Sequence, residues 1–376
     1  MRFLGNEYNR NELAGAFGDL GTFIPFVAAY ITLNKMDPLG ILVAFGVFKI
    51  FVGQYFKTPF PVQPMKAIGG MAIAHPESIT HGMIWGSGIF TAVFWLIMGF
   101  TGAVSWLHKI TAKPIIRGIM LGLGLSFVLE GVKRMGDQPV VAVMAAAMTF
   151  FLLSKEKIPA MLLLLVFGMV VALVSNPSLW NELAQISARL RIPEFSLDRI
   201  TWQDLIVGTL ILGLPQAPLT LGNAIIGTAE ENNELFPDRP AKVKTIAVDH
   251  GIMNLFSAVI GGIPLCHGAG GMAGHVRFGA RTGGALVILG FIVLVLGLFF
   301  SDSVATIFKM FPPSILGVIL FFTGLELASI TRDMGNQRAD FYIMLVVAGL
   351  AMWNMGAAYL AGLILFCGVK KGILKF

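Results

Sequence analysis

The sequence has few charged residues and few cysteines for its length. Only 13% of its 376 residues are charged and 56% are hydrophobic, whereas soluble domains carry about 25% charged and about 45–50% apolar residues. With a mean hydropathy of +0.79, this composition excludes a soluble globular protein and a disordered one. The two cysteines, Cys266 and Cys367, lie in apolar segments, so neither a disulfide framework nor a metal cluster is expected.

Several functional signatures are also absent. No glycine-rich ATP-binding motif occurs, which argues against a primary pump. No spacing of nucleophile, base or metal ligands indicates an enzyme, so no cofactor is expected. The polar N-terminal 12 residues lack the apolar core of a cleavable signal peptide. The net charge is +6, but the cations lie in loops between apolar runs and indicate membrane topology rather than a nucleic-acid partner.

What the sequence does contain is a long series of apolar runs. A transmembrane helix needs roughly 20 apolar residues, and an outer-membrane barrel would instead show alternating strands. The sequence therefore predicts an all-α polytopic membrane protein with about 14 transmembrane segments. The runs are 13–33, 38–55, 59–74, 82–107, 113–131, 138–153, 158–175, 202–225, 245–261, 263–275, 283–300, 303–328, 339–353 and 355–369.

The positions of lysine and arginine predict the orientation. With the N-terminus inside, 17 of the 27 Lys and Arg residues fall in cytoplasmic loops and 6 in outer loops, as the positive-inside rule requires. We therefore expect an integral protein of a prokaryotic plasma membrane with both termini in the cytoplasm.

Segments 3 and 10 are too broken to be ordinary spans. Pro59, Pro61 and Pro64 forbid a regular helix before residue 64, and glycines interrupt the run at 262–275. Irregular backbone at membrane depth is tolerated only where protein buries it or where it lines a polar cavity. We predict that both segments are broken half-helices beside such a cavity.

The two broken segments also correspond to each other as an internal repeat. Gly-Gly-Met-Ala occurs at 69–72 and at 270–273, and the same offset of 201 residues aligns the first and eighth runs. An offset spanning seven helices inverts the second copy in the membrane, which is typical of secondary transporters. The predicted repeats are 1–175 and 202–376, with a connector at 176–201.

Three stretches resemble the molybdate transporter family of plants, algae and prokaryotes, a branch related to the SulP sulfate permeases. They are Phe17-Gly-Asp-Leu-Gly-Thr-Phe-Ile-Pro-Phe, Pro61-Val-Gln-Pro-Met-Lys-Ala, and Pro264-Leu-Cys-His-Gly-Ala-Gly-Gly-Met-Ala-Gly-His with the nine residues that follow. The resemblance implies a SulP-like seven-plus-seven inverted repeat and oxyanion uptake.

The resemblance also implies two domains that move against each other in an elevator-type cycle. The core is expected at 13–107 and 202–300, and the gate at 113–175 and 303–369. SulP proteins usually end in a cytoplasmic STAS domain, and this chain is expected to lack one.

The two half-helices are the predicted binding site for a buried dianion. Molybdate or sulfate needs many donors when it is buried, and two helix N-termini supply N–H groups and positive dipole ends. Lys66 and His267 occupy corresponding positions beside these N-termini, Gly268 and Gly270 permit close approach of an anion, and Gln63 offers a neutral donor. The alternatives are that Lys66 reaches the membrane interface and that His267 and Gln63 satisfy backbone groups.

Polar residues on the first and eighth segments extend the predicted site. Gln216 and Thr220 are four residues apart and share a helix face, where related nucleobase and bicarbonate carriers hold an acid. A neutral amide suits a dianion that a carboxylate would repel. Thr22, on the first segment, is predicted to be a further substrate contact. Hydrogen bonding between helices is the alternative role for such residues.

Two intramembrane acids are candidates for proton coupling, because ionisable residues within the membrane are usually functional. Asp19 either carries the proton, pairs with Lys66, or belongs to a structural network with Thr22. Glu326 lies in the predicted gate and is the second candidate.

The sequence thus predicts a secondary active transporter of tetrahedral oxyanions, most of all molybdate and then sulfate, with proton-coupled uptake. The alternatives are a nucleobase or bicarbonate carrier on the same fold, and an anion channel. The expected partners are molybdate or sulfate, protons and the lipid bilayer, with a homodimer as an open alternative.

Overall fold

Helices make up most of the described chain. The computed structural model describes residues 2–153 and 160–374, and the strands within those ranges are each two residues long. The first half of the described chain contains α1 Arg10–Ala16, α2 Leu20–Thr32, α3 Pro38–Phe56, α4 Lys66–Ala74, α5 His81–Thr101, α6 Ala103–Ile110, α7 Lys113–Met135, α8 Pro139–Leu153, α9 Ala160–Ser175 and α10 Ser178–Ala184.

The second half continues the same pattern. Four strands accompany the helices: β1 Arg2–Phe3, β2 Asn6–Glu7, β3 Gln63–Pro64 and β4 Leu265–Cys266. The helices are α11 Trp202–Val207, α12 Leu214–Leu219, α13 Thr228–Leu235, α14 Val243–Val259, α15 Ala269–Arg277, α16 Gly284–Phe300, α17 Val304–Phe308, α18 Pro313–Ser329, α19 Arg338–Trp353 and α20 Met355–Lys370.

Several helices begin where the sequence supplies a cap. Asp37 caps α3 and is followed by Pro38 at the first helical position, where the missing proline N–H costs nothing. The hydroxyl of Thr80 accepts the third N–H group of α5. Thr201 and Asp204 form a reciprocal capping box at α11. These local signals set the ends of the long helices.

Two bends position the polar residues of the interior. The axes of α1 and α2 meet at 43° near Gly18, where a Cβ atom would lie 2.3 Å from the carbonyl oxygen of Gly274. This close approach places Asp19 at the start of α2, against α15. In the second half, Pro215 and Pro218 lie in α12, which π-helical stretches flank on both sides. Proline cannot continue the regular hydrogen-bond pattern, and the helical segments Trp202–Ala217 and Thr220–Leu235 meet at an angle of 49°.

The predicted half-helices arise from a short strand pair inside the molecule. Strands β3 and β4 are antiparallel, with Gln63 opposite Cys266 and Pro64 opposite Leu265. The N–H of Met65 also donates to the carbonyl oxygen of Pro264 at 3.0 Å. Helices α4 and α15 begin directly after these strands, each nine residues long. The prolines and glycines therefore produce the extended backbone that the sequence predicts.

The long helices pack in antiparallel pairs through glycines. Helix α3 lies against α16, α5 against α14 and α7 against α18. In the last pair a Cβ atom on Gly124 would lie 2.8 Å from the carbonyl oxygen of Gly324, and one on Gly324 would lie 2.6 Å from that of Gly124. Such close backbone contact is typical of helices in membranes.

The helices are apolar enough for a membrane, but their lengths do not settle the number of spans. Among the described residues, four helices are long and apolar enough to cross a bilayer, or seven if each bent pair is one span. Shorter apolar helices follow at Pro139–Leu152, Pro313–Phe322 and Gly356–Lys370. Fourteen spans, the inverted orientation of the second repeat and the cytoplasmic termini therefore stay predictions.

Candidate functional site

The candidate site lies where the N-termini of α4 and α15 meet the eighth predicted segment. The β3–β4 pair holds the two half-helix N-termini together, and the π-helical stretch Thr220–Gly227 packs against α15. The first N–H groups of a helix have no partner within it, and its N-terminus carries a partial positive charge. The fold thus concentrates donors in one buried region.

Lys66 places an ammonium group in this region. It is the first residue of α4, and its Nζ atom is buried with no hydrogen-bond partner among the described residues. Nζ lies 4.2 Å from the ring centroid of Phe127 on α7, a distance that permits a cation–π interaction. Lys66 therefore does not reach an interface, and its charge lies between the predicted core and gate.

Gln216 contacts the N-terminus of α4. Its Oε1 accepts hydrogen bonds from the N–H groups of Ala67 at 2.8 Å and Ile68 at 3.4 Å, and its Nε2 donates to Thr220 at 3.0 Å. The carbonyl end of the amide thus caps α4, while one hydrogen of its Nε2 remains for another acceptor. Gln216 and Thr220 share a face, as their spacing predicts.

Gln63 and Asn223 approach the N-terminus of α15. Nε2 of Gln63 donates to the hydroxyl of Thr22 at 2.9 Å, and that hydroxyl donates to the carbonyl oxygen of Asp19 at 2.9 Å. A Cβ atom on Gly268 would lie 2.8 Å from Oε1 of Gln63 and 3.3 Å from Nδ2 of Asn223. Glycine at position 268 thus leaves room between the two amides and the helix N-terminus, to which Gly270 also belongs.

His267 is engaged with protein groups on both sides of its ring. Nδ1 lies 2.8 Å from the carbonyl oxygen of Pro61, and Nε2 lies 2.9 Å from Oδ2 of Asp249. The structure therefore pairs His267 with a carboxylate on α14 rather than directing it, as a mate of Lys66, toward an anion. The contact with Pro61 matches the alternative in which His267 satisfies a backbone carbonyl.

Of the three alternatives for Asp19, pairing with Lys66 is not what the structure shows, because Asp19 pairs with Lys49. Oδ2 of Asp19 lies 3.1 Å from Nζ of Lys49 and 3.6 Å from Nε2 of His275, and all three side chains are fully buried. Nζ of Lys49 also donates to the carbonyl oxygen of Val62 at 2.7 Å. Lys49 reaches Asp19 because α3 passes beside the bend between α1 and α2. The second proton candidate, Glu326, lies on α18, but its side chain is outside the part of the structure that is described.

A large cavity lies at the predicted cytoplasmic ends of α7 and α13. Its volume is about 690 Å³. An ion pair of Arg117 with Glu234, at 2.8 Å, crosses it from the predicted gate to the predicted core, and His108, in the last turn of α6, lies 2.7 Å from Glu230. Beyond the cavity, Ile119 of α7 packs on Gly222 of the π-helical stretch. The cavity is lined by His108, Thr111, Lys113, Ile116, Arg117, Glu230, Asn233 and Glu234.

Sequence reasoning did not identify Lys49, Phe127 or Asp249 as parts of these networks. Lys49 carries a recognisable signal, because a lysine in the middle of an apolar run requires a buried partner. Asp249 is separated from His267 by a whole loop, and Phe127 is one aromatic residue among many in apolar runs. No sequence pattern distinguishes those two.

Comparisons with known proteins agree with this architecture. A family model described as "Molybdate transporter of MFS superfamily" matches residues 11–127 and 208–327. Molybdate transporter 2 of Arabidopsis thaliana is 33% identical over 413 residues, covering 97% of this chain and 87% of the relative. Molybdate transporter 1 of Chlamydomonas reinhardtii is 26% identical over 472 residues, covering 94% and 90%.

Solved structures show the same fold at low sequence identity. The transmembrane domain of a cyanobacterium bicarbonate transporter, BicA, has a TM-score of 0.54 at 17% identity and covers 95% of this chain and 98% of that chain. The murine anion transporter Slc26a9 in the inward-facing state has a TM-score of 0.59 at 13% identity, covering 98% and 69%. The fold is therefore that of the SulP-type membrane transporters, and the chain belongs to the molybdate transporter family.

Proposed function

We propose that the protein is a secondary active transporter of tetrahedral oxyanions, with molybdate preferred and sulfate next. The relatives described above are named molybdate transporters, and they align with nearly the whole chain. Membership of a transporter family favours transport over catalysis. A dianion requires a buried site rich in donors. The junction of α4 and α15 offers helix N-termini, two amide side chains and an ammonium group.

The observation that carries the proposal is the buried ammonium of Lys66. Burying a cation without a paired anion is costly, and its nearest described aromatic partner, Phe127, supplies only part of the compensation. A dianion at the adjacent helix N-termini would complete the charge balance. The core residue Lys66 also contacts a gate helix, which suits a site between two moving parts.

The packing of the helices supports the proposed inverted repeat and the division into core and gate. Under the offset of about 200 residues, helix α3 corresponds to α14 and α5 to α16, so the α3–α16 contact corresponds to the contact between α14 and α5. The same offset relates α7 to α18 and β3 to β4, so the two members of each of these contacting pairs are equivalent to each other. A pseudo-two-fold relation of this kind is the arrangement of secondary transporters with inverted repeats, in which the proposed core would move against the gate.

Uptake by purified protein in liposomes tests the proposed function. We expect saturable molybdate uptake that depends on an imposed gradient, with competition by sulfate and weaker or no competition by bicarbonate and uracil. Conductance without saturable, gradient-driven accumulation would indicate an anion channel instead. Uptake of bicarbonate or uracil in place of both oxyanions would support the carriers of the alternative class and contradict the proposal.

Charge at position 216 gives a prediction about the site. Gln216→Glu is expected to weaken molybdate binding more than Gln216→Ala. The carboxylate still caps α4, but it adds a negative charge beside the dianion where the dielectric constant is low. Isothermal titration calorimetry of both variants and the parent measures the effect. Parental affinity in Gln216→Glu would show that the oxyanion does not bind between these half-helices.

A further inference from the structure

We propose that the buried pair of His267 and Asp249 binds the proton that is coupled to oxyanion transport. This inference rests on the proposed function and assigns the coupled ion to particular atoms. It differs from the sequence-based expectation, which assigned the proton to Asp19 or Glu326. The pair joins the residue that precedes α15 to the buried face of α14.

The count of hydrogen-bond donors places a proton in this pair. A carbonyl oxygen only accepts, so the 2.8 Å contact with Pro61 requires a hydrogen on Nδ1 of His267. The 2.9 Å contact between Nε2 and Oδ2 of Asp249 then requires a second hydrogen, because a bare imidazole nitrogen and a carboxylate are both acceptors. Whether that proton is on Nε2 or Oδ2, the pair is neutral overall. Loss of the proton leaves one negative charge.

This charge is close to the proposed oxyanion site. His267 directly precedes Gly268, the N-cap of α15, and the side chains of His267 and Asp249 are 0% and 6% exposed. A buried charge is poorly screened, so a deprotonated pair would repel a dianion at the α15 N-terminus. A protonated pair would not. Proton binding therefore favours oxyanion binding, and by linkage the oxyanion favours proton binding to the same extent.

A groove connects Asp249 with the outside of the molecule. It has a volume of about 310 Å³ and lies between α3 and α14. Asp249 lines it together with Tyr55 and Lys244, and Lys244 lies in the first turn of α14, at the predicted cytoplasmic end. Asp249 is therefore the member of the pair through which we expect the proton to be exchanged.

Other titratable groups surround the pair, but they do not offer an equivalent site. The ring of His250 lies 5.6 Å from that of His267 and has no hydrogen-bond partner among the described residues. Asp19 already contacts Lys49 and His275, so protonation of Asp19 would break an ion pair. The other groups on neighbouring elements are Tyr55, Lys49, Lys66, Lys244, Cys266 and His275.

Calorimetry in buffers of different ionisation enthalpy measures the protons taken up with the ligand. Where the ligand-free pair has lost its proton, we expect molybdate binding to the parent protein to take up about one proton per oxyanion through linkage, and we expect the affinity to fall as pH rises. In Asp249→Asn, proton uptake and the pH dependence should both disappear while binding remains. His267→Gln is a second test of the pair, and Asp198→Asn, an exposed carboxylate of the connector, is the matched control.

Three results would overturn the assignment, and each differs from failure of the proposed function. The first is oxyanion binding to the parent with no proton uptake at any pH and no pH dependence of the affinity, which needs no variant. The second is unchanged proton uptake in Asp249→Asn or His267→Gln. The third is loss of uptake in Asp19→Asn but not in Asp249→Asn, which would return the proton to Asp19. Absence of binding to both molybdate and sulfate would instead contradict the transporter proposal itself.

Discussion

Lys49→Met is expected to lower the free energy of unfolding by about 3–5 kcal/mol, because it removes one partner of a buried ion pair. Nζ of Lys49 contacts Oδ2 of Asp19 at 3.1 Å and the carbonyl oxygen of Val62 at 2.7 Å. Methionine has a similar shape but no donor, so a carboxylate and a carbonyl lose their partner together. His275, 3.6 Å from the same carboxylate, then remains as its nearest described partner. Equilibrium unfolding in mixed micelles measures the loss.

A second substitution separates loss of charge from loss of packing. The double variant Lys49→Met with Asp19→Asn should recover part of the stability, because no uncompensated charge remains buried. Lys133→Met, at an exposed lysine in the last turn of α7, is the control and should have little effect. A double variant as unstable as Lys49→Met alone would show that the ion pair is not the cause.

Lys66→Ala is expected to weaken molybdate binding by roughly 10- to 150-fold, the equivalent of about 1.5–3 kcal/mol for a charge-assisted hydrogen bond. The ammonium is buried beside the helix N-termini and has no hydrogen-bond partner among the described residues. A ligand oxygen is therefore its expected partner. Isothermal titration calorimetry with molybdate, and with sulfate in parallel, measures the change.

The stability of the same variant distinguishes a binding role from a structural one. A binding residue whose buried charge is balanced only by the ligand can be replaced without loss of stability. The ligand-free Lys66→Ala protein should therefore require at least as much denaturant to unfold as the parent. Lys133→Ala is the control for binding and should retain parental affinity. Unchanged molybdate affinity in Lys66→Ala, or a large loss of stability, would contradict the proposed site.

The local backbone of the site could be predicted from the sequence, but the partners of its charged groups could not. Proline removes backbone donors at fixed positions, so the break before Lys66 follows from Pro61 and Pro64 alone. The choice between Lys49 and Lys66 as partner of Asp19 depends instead on how α3 packs against the α1–α2 bend. That packing is set by contacts over the whole core, which no local pattern reports.

The hydrogen-bond partners of the Gln216 amide could likewise not be predicted from the sequence. Its spacing from Thr220 correctly predicts a shared helix face, because that depends only on helix geometry. Whether its oxygen or its nitrogen meets the site depends on what lies opposite. The N-terminus of α4 lies opposite, 149 residues earlier in the chain, and it takes the oxygen. The direction of the amide could only be learned from the structure.

The extended backbone around β3 and β4 limits which of the neighbouring residues can be substituted during evolution. Extended backbone at membrane depth must have its polar groups satisfied by the protein that buries it. Here Nζ of Lys49 donates to Val62, Nδ1 of His267 lies at hydrogen-bond distance from the carbonyl oxygen of Pro61, and Asn254 both donates to and accepts from Leu265. Substitution of Lys49 or Asn254 would damage the scaffold whatever the substrate. Among the described residues Lys66 serves no backbone group in this way, so we expect new substrate preferences within the family to arise first around it.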